Sequence, residues 1–224
     1  MIIENYKVSL VNKFEIRDWL LKKHYAHRLP SISYAFGLFD NNKILQGVCT
    51  FGMPARMMNS GECLFNNDYK VETLELNRLV LEEEVGKNGE SFFISHSLKL
   101  LPKPMCLVSY ADSNFGHHGY IYQATNWIYT GLTPSRAKFI DIKGEDIHER
   151  TIWSRYGSEE NALNSGEIKK VTQEGKHRYF YFLGSKNDIK TMKNNFIYQQ
   201  YPYPKGDNKR YDASFEADKQ ERLF

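Results

Sequence analysis

With 224 residues, 41% of them hydrophobic and 25% charged, the chain carries enough apolar mass to bury a core in one domain without disulfide staples. Its net charge of +3 does not diagnose nucleic-acid binding, which shows as a clustered basic patch rather than a small excess, and does not forbid it. Cys49, Cys63 and Cys106 lie far apart with no CxxC spacing, so neither a disulfide framework nor a zinc site is read, and a cytoplasmic protein is expected. The N-terminal stretch has no basic segment followed by an apolar one, and no apolar run approaches 18 residues, so no signal peptide or membrane span is expected. The aromatic content of 14% fits either a compact aromatic core or a surface that stacks bases.

In chain order, the pattern predicts a strand at Tyr6–Val11 and a helix from about Lys13 to Tyr25, on which Phe14, Ile16, Leu20 and Leu21 form an apolar trace with Trp19. Ser33–Phe39 and Lys43–Phe51 read as a hairpin across the turn-forming Asp40-Asn41-Asn42. A loop follows from Met53 to Asp68, then a long strand at Glu72–Leu81 and an acidic, glycine-containing loop at Glu82–Glu90. Ser91–Leu101 reads as a helix stopped by Pro102, Met105–Ala111 as a buried strand, and Tyr120–Tyr129 as a helix closed by Gly131. Ala137–Ile142 and Arg178–Leu183 are later strands, and residues 201–224, with Pro202, Pro204 and Gly206, form an extended tail that can wrap on the domain. The order gives an α/β (α+β) fold, a mixed central sheet flanked by helices, over residues 1–200.

Several side chains stand out. His24 closes the first predicted helix, where an imidazole can titrate near neutrality and act as acid or base, and Tyr25 beside it can stack or donate its hydroxyl. Arg78 sits in an apolar strand and, on a period of two, shares a face with Leu76 and Val80; Glu75 falls on the other face. A buried Arg needs a carboxylate or a bound anion. Ser109 and Asp112 lie at the carboxyl end of a strand, the usual ligand position in open α/β sheets, although a local Ser/Asp turn would give the same residues. Adjacent His117 and His118 do not have a standard metal spacing; with His24 and Asp112 they would make a site suited to iron if the fold gathers them. Tyr122 and Asn126 are i, i+4 neighbours on the predicted helix, with Gln123 on an adjacent face, and Asn and Gln are the side chains that pair bidentately with adenine. Lys176, His177, Arg178 and Tyr179 form a basic–aromatic cluster suited to phosphate contact and stacking, or to a solvated strand edge. Lys205, Lys209 and Arg210 add a second basic group.

The element order is similar to the GNAT acetyltransferase superfamily, in which a turn after the fourth strand holds the pyrophosphate of acyl-CoA at a helix start. The corresponding VGKNGES (Val85–Ser91) keeps only Gly86 and Gly89 of the usual Q/R-x-x-G-x-G/A pattern. More specifically, HYAHRLPS (His24–Ser31), ELNRLVL (Glu75–Leu81), SYADSNFGHHGYIYQATNWIYTG (Ser109–Gly131), KHRYFYFLG (Lys176–Gly184) and YPYPKG (Tyr201–Gly206) resemble, in order, the Mom family of phage DNA-modification proteins.

That resemblance implies conversion of adenine in double-stranded DNA to N6-carbamoylmethyladenine, which blocks host restriction. It implies catalytic roles for His24, Tyr25, Ser109 and Asp112. Arg28, Arg78, His118, Tyr122, Gln123 and Asn126 would bind substrate, and Lys176, His177, Arg178 and Lys205 would bind nucleic acid. Acetyl transfer from acetyl-CoA would give N-acetyladenine, the wrong product. A glycyl donor such as glycyl-tRNA, followed by rearrangement of the isomeric adduct, would give the right one. Two other readings compete: a CoA-dependent N-acyltransferase acting on a small amine or protein, and a DNA-binding accessory protein without chemistry.

Overall fold

The computed structural model describes residues 5–24, 26–54, 64–66 and 69–206, with nothing said of the Phe115 side chain. A seven-stranded sheet runs in the order β1-β2-β3-β4-β5-β10-β6. Its strands are β1 (Lys7–Leu10), β2 (Tyr34–Phe39), β3 (Leu45–Gly52), β4 (Thr73–Leu81), β5 (Met105–Ala111), β6 (Ile128–Leu132) and β10 (His177–Leu183). Every pairing is antiparallel except β4 with β5. A parallel pair needs a crossover, and α2 (Gly89–Leu100) supplies it. The mixed sheet flanked by helices is the expected class.

Alternation along the strands gives the sheet two buried faces. On one, Phe93, Ile94 and Leu98 of α2 and Tyr122 of α3 (Tyr120–Ala124) pack against Phe36, Phe51, Leu74, Leu76, Leu107 and Tyr179. On the other, Met192 of α6 (Lys186–Asn195) joins Cys106, Val108, Phe180 and Phe182. Ser185 starts α6 with a capping box closed by Asp188, which satisfies two end donors reciprocally. Aromatic rings fill much of this interior: Trp127, Tyr122, Tyr179 and Tyr129 lie in successive ring contact.

Three expectations are corrected. The first helix is not a regular amphipathic one: residues 13–16 form turns and α1 (Trp19–Lys23) is wound as a π-helix. Ile16 and Leu20 are buried as expected, but Phe14 is 74% exposed, because the altered winding breaks the apolar trace. The helix at Tyr120 ends at Ala124, not Tyr129, since Asn126 adopts a left-handed φ of 61° and turns the chain into β6. Trp127 is fully buried and Tyr129 pairs across to Tyr179. Tyr122 and Asn126 therefore do not share a helix face.

An inserted unit lies between β6 and β10, of which the sequence foretold only the strand at Ala137–Ile142, seen as Arg136–Asp141. Strands β7 (Arg136–Asp141), β8 (Asp146–Ile147) and β9 (Ile168–Gln173) form a second, three-stranded sheet in the order β8-β7-β9. Helices α4 (Glu149–Tyr156) and α5 (Glu159–Asn164) cover it with Ile152 and Ala162, over Phe139 and Ile168. The described start of the tail, residues 201–206, lies on the domain: Tyr201 N–H donates to Tyr129 O and the Tyr203 hydroxyl donates to Trp127 O. Lys209 and Arg210 lie outside the described residues.

Trp127→Ala is expected to lower unfolding free energy by about 3–5 kcal/mol in urea titration, the cost of removing a fully buried indole. Trp153→Ala on α4, 63% exposed, should stay within about 0.5 kcal/mol of the wild type.

Candidate active-site cleft between the splayed strands

The site begins with a local fault in β4. Thr50 pairs with Arg78 while the next residue, Phe51, pairs with Leu76, so Asn77 is an extra residue in its strand. Such a bulge bends the strand and shifts its alternation by one. Asn77 is held there by the Thr50 hydroxyl at 2.6 Å and by its own amide, which donates to Ser31 O at 2.8 Å. The passage is so close that a Cβ on Gly52 would sit 1.9 Å from Ser31 O, which only glycine tolerates.

Pairing between β4 and β5 stops at Glu75 and Val108, just before the bulge. Beyond it the strands part, and a cleft of ≈ 690 Å³ opens between them. The carbonyl of Leu76 is met by the hydroxyl of Ser109 at 2.8 Å, and the Tyr122 hydroxyl lies 2.8 Å from the same Ser109 oxygen. Ser109 is buried and braces the mouth of the splay, a role that local Ser/Asp turn chemistry does not describe.

The shift in alternation corrects the expectation for Arg78. Leu74 and Leu76 face the α2 side, and after the bulge so do Leu79 and Leu81. Arg78 therefore leaves the face of Leu76 and joins that of Glu75, and both line the cleft. Arg78 also donates through Nη1 to Asn77 O at 2.6 Å and reaches the carbonyl of Arg28 through Nη2 at 3.5 Å. Burial raises the pKa of the Glu75 carboxyl, against the opposing pull of Arg78, Lys176 and Arg28. Glu75 is the functional candidate that sequence reasoning missed, since no local signal marks a bulge two residues downstream.

His24 lies in the cleft wall but does not titrate near neutrality. Burial, then the charges of Arg78, His27 and Arg28, depress its pKa to about 3. Its Nδ1 accepts the Ala26 N–H at 3.0 Å, which puts the proton of the neutral ring on Nε2 and makes it a hydrogen-bond donor. Tyr25 lies outside the described residues.

Asp112 behaves in the opposite way. Burial opposes its charge, but Lys176 at 2.7 Å and two hydrogen bonds from Asn114 outweigh it, and its pKa falls below the usual carboxylate value. A cleft thus holds one carboxylate kept ionised and another pushed toward protonation, the arrangement by which acid and base roles are separated.

The remaining expected residues divide. Arg28, His117 and Tyr122 line the cleft with Lys176, as does Tyr110, which the sequence did not single out. His118 points away from it, in ring contact with His177 at 5.5 Å. Gln123 is spent on structure, with its amide nitrogen within 3.2 Å of His118 O, the Tyr179 hydroxyl and Pro204 O. Asn126 is exposed in the turn after α3. The basic cluster at 176–178 is also split, because successive residues of a strand face opposite ways. Lys176 enters the cleft, and His177 is buried against the Tyr129 hydroxyl at 2.8 Å rather than offered to phosphate. Arg178 lies over the Tyr198 ring on the face opposite His177, and β10 is an interior strand, not a sheet edge. Lys205 is exposed. Among the described residues no group of three or more His, Cys, Asp or Glu is gathered as a metal site, so His24, Asp112 and the two histidines are not brought together as the iron reading required.

The turn after β4 places Gly86, Lys87, Asn88, Glu90 and Ser91 along the cleft at the start of α2. A helix start favours an anion, but Glu90 already puts a carboxylate in the first turn. A pyrophosphate would meet that charge, which agrees with the degenerate glycine pattern.

The fold is a mixed α/β sheet with a cleft between splayed strands, and comparison with known proteins adds the family. The model of the Mom protein family matches residues 5–205, and the chain belongs to that family. A curated relative, methylcarbamoylase mom of Escherichia phage Mu, is 29% identical over 207 residues, covering 89% of this chain and 83% of that protein. Among solved structures, spermidine N-acetyltransferase from Vibrio cholerae aligns at TM-score 0.46 and 10% identity, covering 80% of this chain and 94% of that one. A histone acetyltransferase HPA2 and related acetyltransferase from Corynebacterium glutamicum aligns at 0.43 and 11%, covering 79% and 95%.

Between pH 6.5 and about 3 the unfolded chain protonates His24 and the folded one does not. Stability from the neutral ring is therefore complete above pH 6.5 and is lost as pH falls, by at most about 1.4 kcal/mol per unit. In urea titrations at pH 7 and pH 5, His24→Asn should lose less stability on acidification than the wild type. Equal losses would place the acid sensitivity elsewhere.

Proposed function

We propose that the protein is a DNA-modifying transferase that converts adenine to N6-carbamoylmethyladenine in phage DNA within the host cytoplasm and so shields it from host restriction. The observation that carries this reading is the splayed cleft with its opposed carboxylates, in a chain of the Mom family whose phage Mu relative bears the name methylcarbamoylase. The adenine amine is weakly nucleophilic because its lone pair is drawn into the ring, and chemistry on it requires the base to leave the stack.

Glu75 is suited to take the proton that N6 loses on attack, since its raised pKa brings its carboxyl toward the working range of a general base. Asp112, held ionised by Lys176, is suited to orient the amine. Arg28 and Arg78 supply positive charge for a phosphate, and the Nε2 proton of His24 for a carbonyl oxygen. Ser109 and Tyr122 act as positioning residues that tie the strands across the mouth of the splay.

The donor that fits the product is an activated glycyl ester, glycyl-tRNA in chemical class. N6 attacks the ester carbonyl, the new N–C bond replaces the C–O bond, and the departing hydroxyl takes the proton. The free amine of the glycyl group then attacks purine C6 through a five-membered ring. The C6–N6 bond breaks, and the original nitrogen leaves as the amide with the proton of the attacking amine. The weak acyl-CoA turn at Val85–Ser91 supports a donor other than CoA.

Co-expression with a plasmid and nucleoside mass spectrometry of the recovered DNA should show carbamoylmethyladenine with the wild type. Unmodified plasmid would overturn the reading. Glu75→Gln should reduce the product about 100-fold or more. With adenine labelled at its amino nitrogen, the label should end in the amide, and a label still attached to C6 would refute the rearrangement. Acetyl-CoA binding by calorimetry, with no requirement for DNA, would favour the N-acyltransferase alternative.

A further inference from the structure

A second concavity of ≈ 610 Å³ lies at the β6 edge of the sheet, between that strand and residues 197–202. Its floor is Arg178. The guanidinium donates from Nε to the Thr130 hydroxyl at 3.0 Å and sits over the Tyr198 ring, with its Cζ 3.8 Å from the ring centre. Tyr198 in turn stacks on Phe180, with ring planes 22° apart. The arginine is thus fixed in place and direction, with little left to order on binding. Among the described residues no carboxylate pairs with it, and its two terminal nitrogens make no hydrogen bond. Leu132, Ile197 and Tyr201, between 45% and 53% exposed, form an apolar and aromatic rim.

This groove continues the reaction cleft along one face. Arg178 is the direct cross-strand partner of Tyr110, and Tyr110 lines the cleft. Directly opposed residues of an antiparallel pair have side chains about 5 Å apart on the same face. A fixed guanidinium with free terminal donors matches a phosphate, and an aromatic rim matches a base.

We propose that this groove binds a nucleotide flanking the target adenine on the same DNA strand, with its phosphate on Arg178 and its base against Tyr201 and Leu132. The proposal rests on the DNA-modification reading for the identity of the strand.

The test is a binding titration by fluorescence anisotropy, using duplexes that carry one neutral methylphosphonate walked through the positions on either side of the adenine. With the wild type, one position should weaken binding about tenfold. Arg178→Ala should weaken binding of the unmodified duplex to a similar extent and be insensitive to that same substitution. Its plot of log affinity against log salt should be shallower by about 0.7–0.9. Arg178→Lys, which keeps the charge without the planar guanidinium, should fall between the two, and it decides the matter if the alanine variant does not fold. A flat methylphosphonate scan, a loss that persists unchanged in the variants, or weakened binding of tRNA with DNA unaffected would each overturn the proposal. Plasmid that stays unmodified with the wild type would instead defeat the enzymatic reading, and the binding titration is scored without it.

Discussion

The extra residue in β4 is the constraint on which the rest of the site depends. Without Asn77 the strand would keep its pairing with β3 in register, and the α2-facing alternation would continue unbroken from Leu74 to Val80. With it, the apolar set moves from Leu74 and Leu76 to Leu79 and Leu81, and Arg78 is delivered to the face of Glu75. The same residue marks where β4 and β5 cease to pair, and separation of two parallel strands inside a sheet exposes backbone polar groups that must be satisfied. Ser109 meets one of them, the carbonyl of Leu76.

The electrostatics follow from that geometry. A carboxyl buried at Glu75 is costly to ionise, and Arg78 and Lys176 offset only part of the cost. Asp112 lies beside the same Lys176 at hydrogen-bond distance, with Asn114 completing its shell, and remains charged. Two carboxylates served by one lysine at different distances therefore differ in proton affinity. His24, neutral because it is buried among cations, contributes a donor to the same wall. None of these states belongs to a residue in isolation.

The rest of the molecule supports that cleft from outside. Gln123 and Tyr203 bind residues 201–206 to the back of α3 and β6, so the segment braces the aromatic layer beneath Ser109 and Tyr122. The inserted β7–β9 unit joins the sheet near the same rim: Ser113 and Asn114 reach Gly175 O and Glu174 O beside Asp112. The insertion and the tail start thus contact opposite ends of the Ser109–Gly131 segment, the longest of the motifs that carry the family resemblance.

The sequence by itself determined the local and periodic features. The hairpin of β2 and β3, the apolar β5, the helix that begins near Ser91, and burial of Ile16 and Leu20 all follow from alternation, turn residues and hydrophobicity. The ordered motifs were also legible, because family resemblance is a property of the chain. Only the tertiary structure decided which side chains meet. A period of two put Arg78 and Glu75 on opposite faces, and one added residue, stabilised by Thr50 and Ser31 from distant segments, reversed that. Strand alternation likewise turned His177 inward against Tyr129, away from Lys176 and Arg178, although the three read as one basic cluster. Histidine gave the same lesson: its type predicts a group that titrates near neutrality, but proton affinity is set by burial and neighbouring charge, which come from contacts far apart in the chain.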